Sequence, residues 1–566
     1  MCKGKNRNPG NKNLSAYLEE EIIMKKKIIA SMLALMTTLS FAGCGQSADT
    51  AAMAPSDTTA GAPAVMTEAA TQADTDYYYE PAERVEYAED TDSAEYPEAG
   101  YEDFNTEEYL AIKESGFVKV ADAPLSTFAA DVDTGSYCNL RRLINEGDAL
   151  VNVESSIRTE EIINYFDYSV DDDSNVFSIQ YELGNCPWNE DTKLLVMTLQ
   201  ANAEEKVTSK GNNFVFLIDS SGSMSSPNKL DLAVESFKML AESLGENDRV
   251  SVVTYSGSST TLLEGSNNYK KICKALDKIE AGGGTNGSGG ITAAYECAEE
   301  YFIEGGNNRV IIASDGDMNL GITSTGGLVD LITKEKESGV FLTVLGFGSG
   351  NYSDANMESI ADAGNGNYYY IDSIDEAERV LVDKLKQTTV TVAKDVKFQA
   401  EFNPGVVYSY RQIGYENRVM SASDFNDDTK DGGEVGAGQQ VTIAYEIELA
   451  GSKESSDGLK YQESELTEGH ENEICTVSVR YKEPDEDESS KLSYVVENVK
   501  DYDKVKSSDD FRFVAGIIET SMIIRGSDYK GSATLDSAYI LANSGTKNDK
   551  YRKEFCDLLV TLGAEE

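Results

Sequence analysis

The chain has 566 residues, enough for three or four domains of roughly 100–200 residues each. Its 99 Asp and Glu against 49 Lys and Arg leave a net charge of −50, and a surface this acidic repels phosphate backbones and anionic headgroups, which argues against nucleic-acid binding. A single histidine, His470 in ESELTEGHENE, leaves a Ser-His-Asp triad, an H-E-x-x-H zinc site and most general-base chemistry with one candidate, in a setting that predicts an exposed loop.

The first element is KKKIIASMLALMTTLSFAG (25–43), a basic run, an apolar run and small residues in the order of an export signal, with Met24 the expected start. SFAGC is similar to a bacterial lipobox, with Phe41 where Leu is commonest. That resemblance implies diacylation of Cys44, which becomes the new amino terminus and holds the chain at the extracytoplasmic face of the cell membrane. Residues 45–104 are Ala, Thr, Asp, Glu, Pro and Tyr with Arg84 the only basic residue, too polar and self-repelling to fold, and read as a disordered acidic linker. No later segment is apolar enough to cross a bilayer, so membrane contact is expected through the lipid anchor only. Beyond the linker, boundaries are expected at 105–205 (helical and β), 206–388 (α/β) and 389–566 (β-rich, then helical).

Helical periodicity is predicted near 106–115, 136–147 and 155–166, the last with the apolar stripe Ile157, Ile162, Ile163 and Phe166. VFSIQYEL and KLLVMTLQA read as strands. From Lys210 the pattern becomes a regular alternation: FVFLID, KLDLAVESFKMLAESL, RVSVVTY, YKKICKALDKI, a glycine loop, ITAAYECAEEYF, RVIIASD, LVDLITKEKES, VFLTVLGFG, YYYID and EAERVLVDKL. Apolar strands between amphipathic helices predict a mostly parallel, doubly wound α/β sheet covered on both faces, with ligands beyond the strands' carboxyl ends. Five further strands follow (TVAKDVKFQAEF, VVYSYRQIGY, QQVTIAYEIEL, EICTVSVRYK, KLSYVVENVK), then three helices. The two early strands cannot bury an apolar face alone, so they are expected to pair with the later ones, the α/β unit being inserted between them. Cys138, Cys186, Cys273, Cys297, Cys475 and Cys556 form no C-x-x-C pair; buried packing is the expectation, with disulfides left open by export.

The first α/β strand ends in Asp219-Ser220-Ser221-Gly222-Ser223, Thr285 lies in AGGGTNG, and RVIIA ends in Ser314-Asp315-Gly316-Asp317. Two carboxylates and three hydroxyls at the ends of neighbouring strands suit a hard divalent cation. At these residues the chain resembles the von Willebrand factor type A (VWA) domain with its metal-ion-dependent adhesion site, over about 210–385. The resemblance implies that Asp219, Ser221, Ser223, Thr285 and Asp315 hold Mg2+ (or Mn2+ or Ca2+), some through water. It further implies an open coordination position for a carboxylate of a protein partner, and binding rather than catalysis. The flanks, among them ADAPLSTFAADVDTGSYCNLRRLIN, RTEEIINYFDY, NCPWN, DFNDDTKDGGEVGAG and DFRFVAG, look like the YfbK-type bacterial lipoproteins, a likeness over most of 105–566. An envelope-assembly scaffold with a structural metal, and a metal-dependent hydrolase, are the other readings.

Three further motifs fail on context. Asp133-Thr134-Gly135 matches an aspartic-protease loop, but no second copy follows to share a proton. Gly282-x-Gly284-x-x-Gly287 follows a helix where a dinucleotide fingerprint follows a strand. DFNDDTKDGGE (424–434) has Thr429 where an EF-hand needs Gly, and reads as an exposed hairpin loop.

Overall fold

Strands that are apolar on both faces have no side to show to water, so they pair with one another under two layers of helices. The computed structural model describes residue 109 and residues 112–565, apart from 148–155, 172–174, 203–209, 350–352, 386, 388–389, 431, 452–467, 485 and 487. The export signal, Cys44 and the acidic linker lie outside the described residues. In chain order the strands are β1 (Val118–Lys119), β2 (Leu125–Ala129), β3 (Phe177–Asn185), β4 (Lys193–Ala201), β5 (Asn212–Asp219), β6 (Arg249–Tyr255), β7 (Ser259–Ser266), β8 (Asn307–Ser314), β9 (Phe341–Phe347), β10 (Tyr368–Ile371), β11 (Thr391–Phe402), β12 (Val407–Ile413), β13 (Gly433–Gly436), β14 (Gln440–Leu449), β15 (Glu473–Lys482) and β16 (Ser490–Glu497).

The central sheet runs β10-β9-β8-β5-β6-β7, all parallel except the antiparallel edge strand β7. Alternation along β5 explains the double cover. Phe214, Phe216 and Ile218 pack on one face against Phe237 and Leu240 of the helix Leu232–Ser243; Val215 and Leu217 face Ile291 and Tyr295 of the helix Gly287–Glu300. The fold is thus the expected doubly wound α/β sheet.

The remaining strands build two sheets that share one core. One has the order β1-β12-β14-β4-β3; the other runs β13-β11-β15-β16, with β2 also on β11. Leu195, Met197 and Leu199 of β4 meet Phe398, Ala400 and Phe402 of β11 in that core, while Leu194 and Val196 join the core of Phe511, Ile517 and the other C-terminal helix residues. That is why KLLVMTLQA is an unbroken apolar run. The early strands pair with the late ones: β4 with β14 from Lys193↔Ile447 to Gln200↔Gln440, and β2 with β11 through Phe128↔Phe398. The chain also leaves and re-enters this part beside one turn, since the Gly438 amide donates to the Ala201 carbonyl (2.8 Å) and the Ala437 amide to the Val390 carbonyl (2.8 Å).

Several expectations need correction. Of the helix expected over 106–115, the described residues Tyr109 and 112–115 are not helical, and the helix expected over 155–166 is confined to Thr159–Asn164. The DFNDDTKDGGE segment does not close a hairpin: it links β12 of one sheet to β13 of the other, and Asp428 pairs with Arg480 at 2.9 Å. The expectation of buried packing for Cys138, Cys186, Cys273, Cys297, Cys475 and Cys556 needs little change: all six are free thiols, and all but Cys273 are buried.

Candidate metal centre

Parallel pairing of β5 with β8, in register at Ile218↔Ala313, brings the carboxyl ends of the two strands side by side. Asp219 is the last residue of β5 and Asp315 follows the last residue of β8. Both carboxylates are fully buried. Asp219 Oδ1 accepts the Ser221 amide (2.9 Å) and Oδ2 accepts the Ser314 hydroxyl (2.8 Å), while the Ser221 and Ser223 hydroxyls stand 3.0 Å apart. The glycine loop is stitched to the same place: the Gly222 amide donates to the Gly283 carbonyl (3.0 Å) and the Gly282 amide to the Ser220 carbonyl (2.8 Å). Thr285 is buried two residues further on; its amide donates to Asn319 Oδ1 (2.9 Å), and its carbonyl accepts the Leu320 amide (2.9 Å). The three loops that carry Asp219, Ser221, Ser223, Thr285 and Asp315 therefore meet at one end of the sheet.

Burial, and then the neighbouring charge of Asp315, pushes the Asp219 carboxyl up to about 6, against the hydrogen bonds from Ser221 and Ser314 that favour its anion. Two buried like charges on loops that also carry three hydroxyl-bearing residues, with no nitrogen or sulfur donor among the five, are what a hard divalent cation would neutralise, and the residue types fit such an ion. Sequence reasoning missed Lys229, whose Nζ is 3.0 Å from Asp315 Oδ2. It also missed Asn319, which orients Thr285. A lysine six residues past Ser223, at the start of a predicted helix, was the available signal for the first.

The competing motifs have structural roles. Asp133 Oδ1 accepts the Tyr368 amide (2.9 Å), which joins the D-T-G segment to β10. Gly287 opens the helix Gly287–Glu300. His470 is exposed, its Nδ1 2.8 Å from Glu473 Oε1. Cys138, Asp372 and Glu376 also converge, but the Arg141 guanidinium fills their centre, with Nη2 at 2.6 Å from Asp372 Oδ1, 3.0 Å from Glu376 Oε2 and 3.6 Å from Cys138 Sγ. It is an ion-pair network.

Three family models match the chain: von Willebrand factor over residues 103–196, von Willebrand factor type A domain over 213–383, and Uncharacterized protein YfbK, C-terminal, over 387–564. The Uncharacterized protein YfbK of Escherichia coli (strain K12) is 39% identical over 469 residues, 80% of each chain. The chain belongs to the YfbK family. Its central domain is a VWA domain, a type that commonly mediates protein–protein interaction and often holds a divalent metal at a site of this kind. Inter-alpha-trypsin inhibitor heavy chain H4 of Homo sapiens is 29% identical over 169 residues, 28% of this chain and 18% of that one. Among solved structures, a von Willebrand factor type A protein from Catenulispora acidiphila is similar at 17% identity and a TM-score of 0.38, covering 68% of this chain and 91% of that one.

Proposed function

We propose that this YfbK-family chain is an exported, lipid-anchored protein whose VWA domain holds a divalent cation through Asp219, Ser221, Ser223, Thr285 and Asp315, and binds a protein ligand that brings a carboxylate to it. The observation that supports this most is the meeting of two fully buried carboxylates with three hydroxyl-bearing residues at the carboxyl ends of β5 and β8. Bound there, the cation supplies a Lewis-acidic centre that takes up a carboxylate oxygen. Asp219 and Asp315 provide the charge that retains it, and the hydroxyls fill positions without adding charge. Cys44 is the proposed lipid site, and the extracytoplasmic face of the membrane the proposed location.

A second reading, a scaffold whose metal is structural, has one observation in its favour: Asp219, Asp315, Ser221 and Thr285 are at most 1% exposed. Capture from envelope extracts separates the two. With Mg2+ present the wild type retains its partner; with EDTA, or in Asp219→Ala, the partner is lost while the melting temperature changes little. Loss of metal that lowers the melting temperature but leaves capture intact overturns the adhesion reading in favour of the scaffold.

A further inference from the structure

Lys229 lies in the first turn of the segment Pro227–Asp231, which leads into the helix Leu232–Ser243. A lysine at a helix start ordinarily reaches into water. This one has a side chain 5% exposed, with its ammonium on Asp315. Its stem runs across Gly348, just past β9, where φ is +83° and an added Cβ would lie 2.3 Å from Lys229 Cε, so glycine is the residue that fits. The Gly348 carbonyl is held by the Tyr370 hydroxyl at 2.7 Å. Thus the turn after β9, held by Tyr370 of β10, packs along the lysine stem on its way to Asp315. Burying an ammonium is unfavourable unless it is paired, and the Asp315 carboxylate supplies that pair.

We infer that Lys229 sets the charge of the loaded site and thereby makes it selective for an anionic ligand; this rests on the metal reading above. Asp219, Asp315 and Lys229 together carry one net negative charge. A divalent cation turns that into one net positive charge, and a carboxylate brings it to zero. Without the lysine the loaded site is neutral before any ligand arrives, and the cation binds more tightly because no ammonium opposes it. A single charge therefore weakens the metal and strengthens the carboxylate. The ligand class that follows is an Asp or Glu side chain or a terminal carboxylate, in preference to a neutral carbonyl. Asp317, half-buried two residues along the same loop, feels the charges of both Asp315 and Lys229; its negative charge is common to the site with and without the lysine, so the difference of one charge that Lys229 makes stands.

The test uses the full chain with Mn2+ as the probe metal. Mn2+ affinity is measured by titration calorimetry, and acetate binding by the water-proton relaxation of the bound Mn2+, with acetamide as the neutral control. Lys229→Met is expected to bind Mn2+ about tenfold tighter and acetate about tenfold weaker, with acetamide unchanged. Lys229→Arg restores the wild-type pattern, and Lys229→Gln serves if the methionine variant does not fold. Both constants moving in the same direction, or neither moving, overturns the inference. The metal reading fails separately: Asp219→Ala with undiminished Mn2+ affinity overturns it, and the role of Lys229 with it. Asp219→Ala that loses Mn2+ beside a Lys229→Met that moves both constants together overturns the role of Lys229 alone.

Discussion

Glu160 is fully buried, and both of its carboxylate oxygens lack a hydrogen-bond partner among the described residues. Burial first, and then the charge of Glu416, push its carboxyl from 4.5 up to about 8. A carboxyl raised on folding binds its proton more tightly in the native state. Its contribution to stability is therefore complete below about 4.5 and is lost as pH rises through about 8. Glu160→Gln removes that dependence. The variant's melting temperature minus that of the wild type should grow by roughly 5 °C between pH 5 and pH 9; a difference that stays flat with pH would mean that the side chain is solvated or paired. The metal loops were legible, because D-x-S-x-S places three of the five candidate ligands at alternate positions within five residues, which one strand end presents together. Lys229 and Glu160 were not, since what decides their environment lies far along the chain: Lys229 meets Asp315 across 86 positions.

The helix Asp354–Ala363 ties the candidate metal site to the rest of the chain. The Ser353 amide, just before it, donates to the Asp315 carbonyl at 3.1 Å. Asp354, Glu358 and Asp362, four residues apart, form one acidic face. Two arginines from outside the VWA domain grip that face. Arg158 pairs with Glu161, and lies 2.9 Å from Asp354 and 3.4 Å from Glu358. Arg418 meets Asp131 (2.8 Å), Glu358 (3.1 Å) and Asp362 (2.5 Å). Arg158→Met strands several buried carboxylates and should lower stability by about 3–5 kcal/mol, read as denaturant midpoint at pH 7. Lys504→Ala, which breaks an ion pair between two exposed side chains, should stay within about 0.5 kcal/mol. Equal effects from the two would rule out the clamp. The acidic face could be read from the spacing in DANMESIAD, but its partners could not, because Arg158 stands 196 positions from Asp354. Unbroken apolar runs between helical segments made β5 and β8 legible, and alternation made β11 and β14 so. The edge strand β7, STTLLEGS, was missed because most of it faces water and shows no alternation, and β1 is too short, at two residues, to show any.

Over the whole described chain, the sequences before and after the VWA domain build common sheets through β4 with β14, β2 with β11 and β1 with β12. An antiparallel hairpin of β3 and β4 cannot bury its apolar face alone, and that requirement made the pairing legible in advance. The register was not, because it depends on side chains more than 200 positions apart. The proposed anchor places the whole molecule at the membrane. A diacylated Cys44 carries two chains, enough for stable attachment where one is marginal. Cys44→Ser is expected to leave the membrane fraction or to accumulate as an unprocessed precursor, and a membrane-bound variant whose signal has been removed would refute the lipobox.

A divalent cation held between β5 and β8 is read out by Mn2+ titration calorimetry of the wild type, Asp219→Ala and Thr285→Ala. One site per chain is predicted for the wild type, loss of measurable binding in Asp219→Ala, and a weaker defect of about tenfold in Thr285→Ala, since a hydroxyl adds no charge to the shell. Unchanged affinity in a folded Asp219→Ala protein would contradict the account.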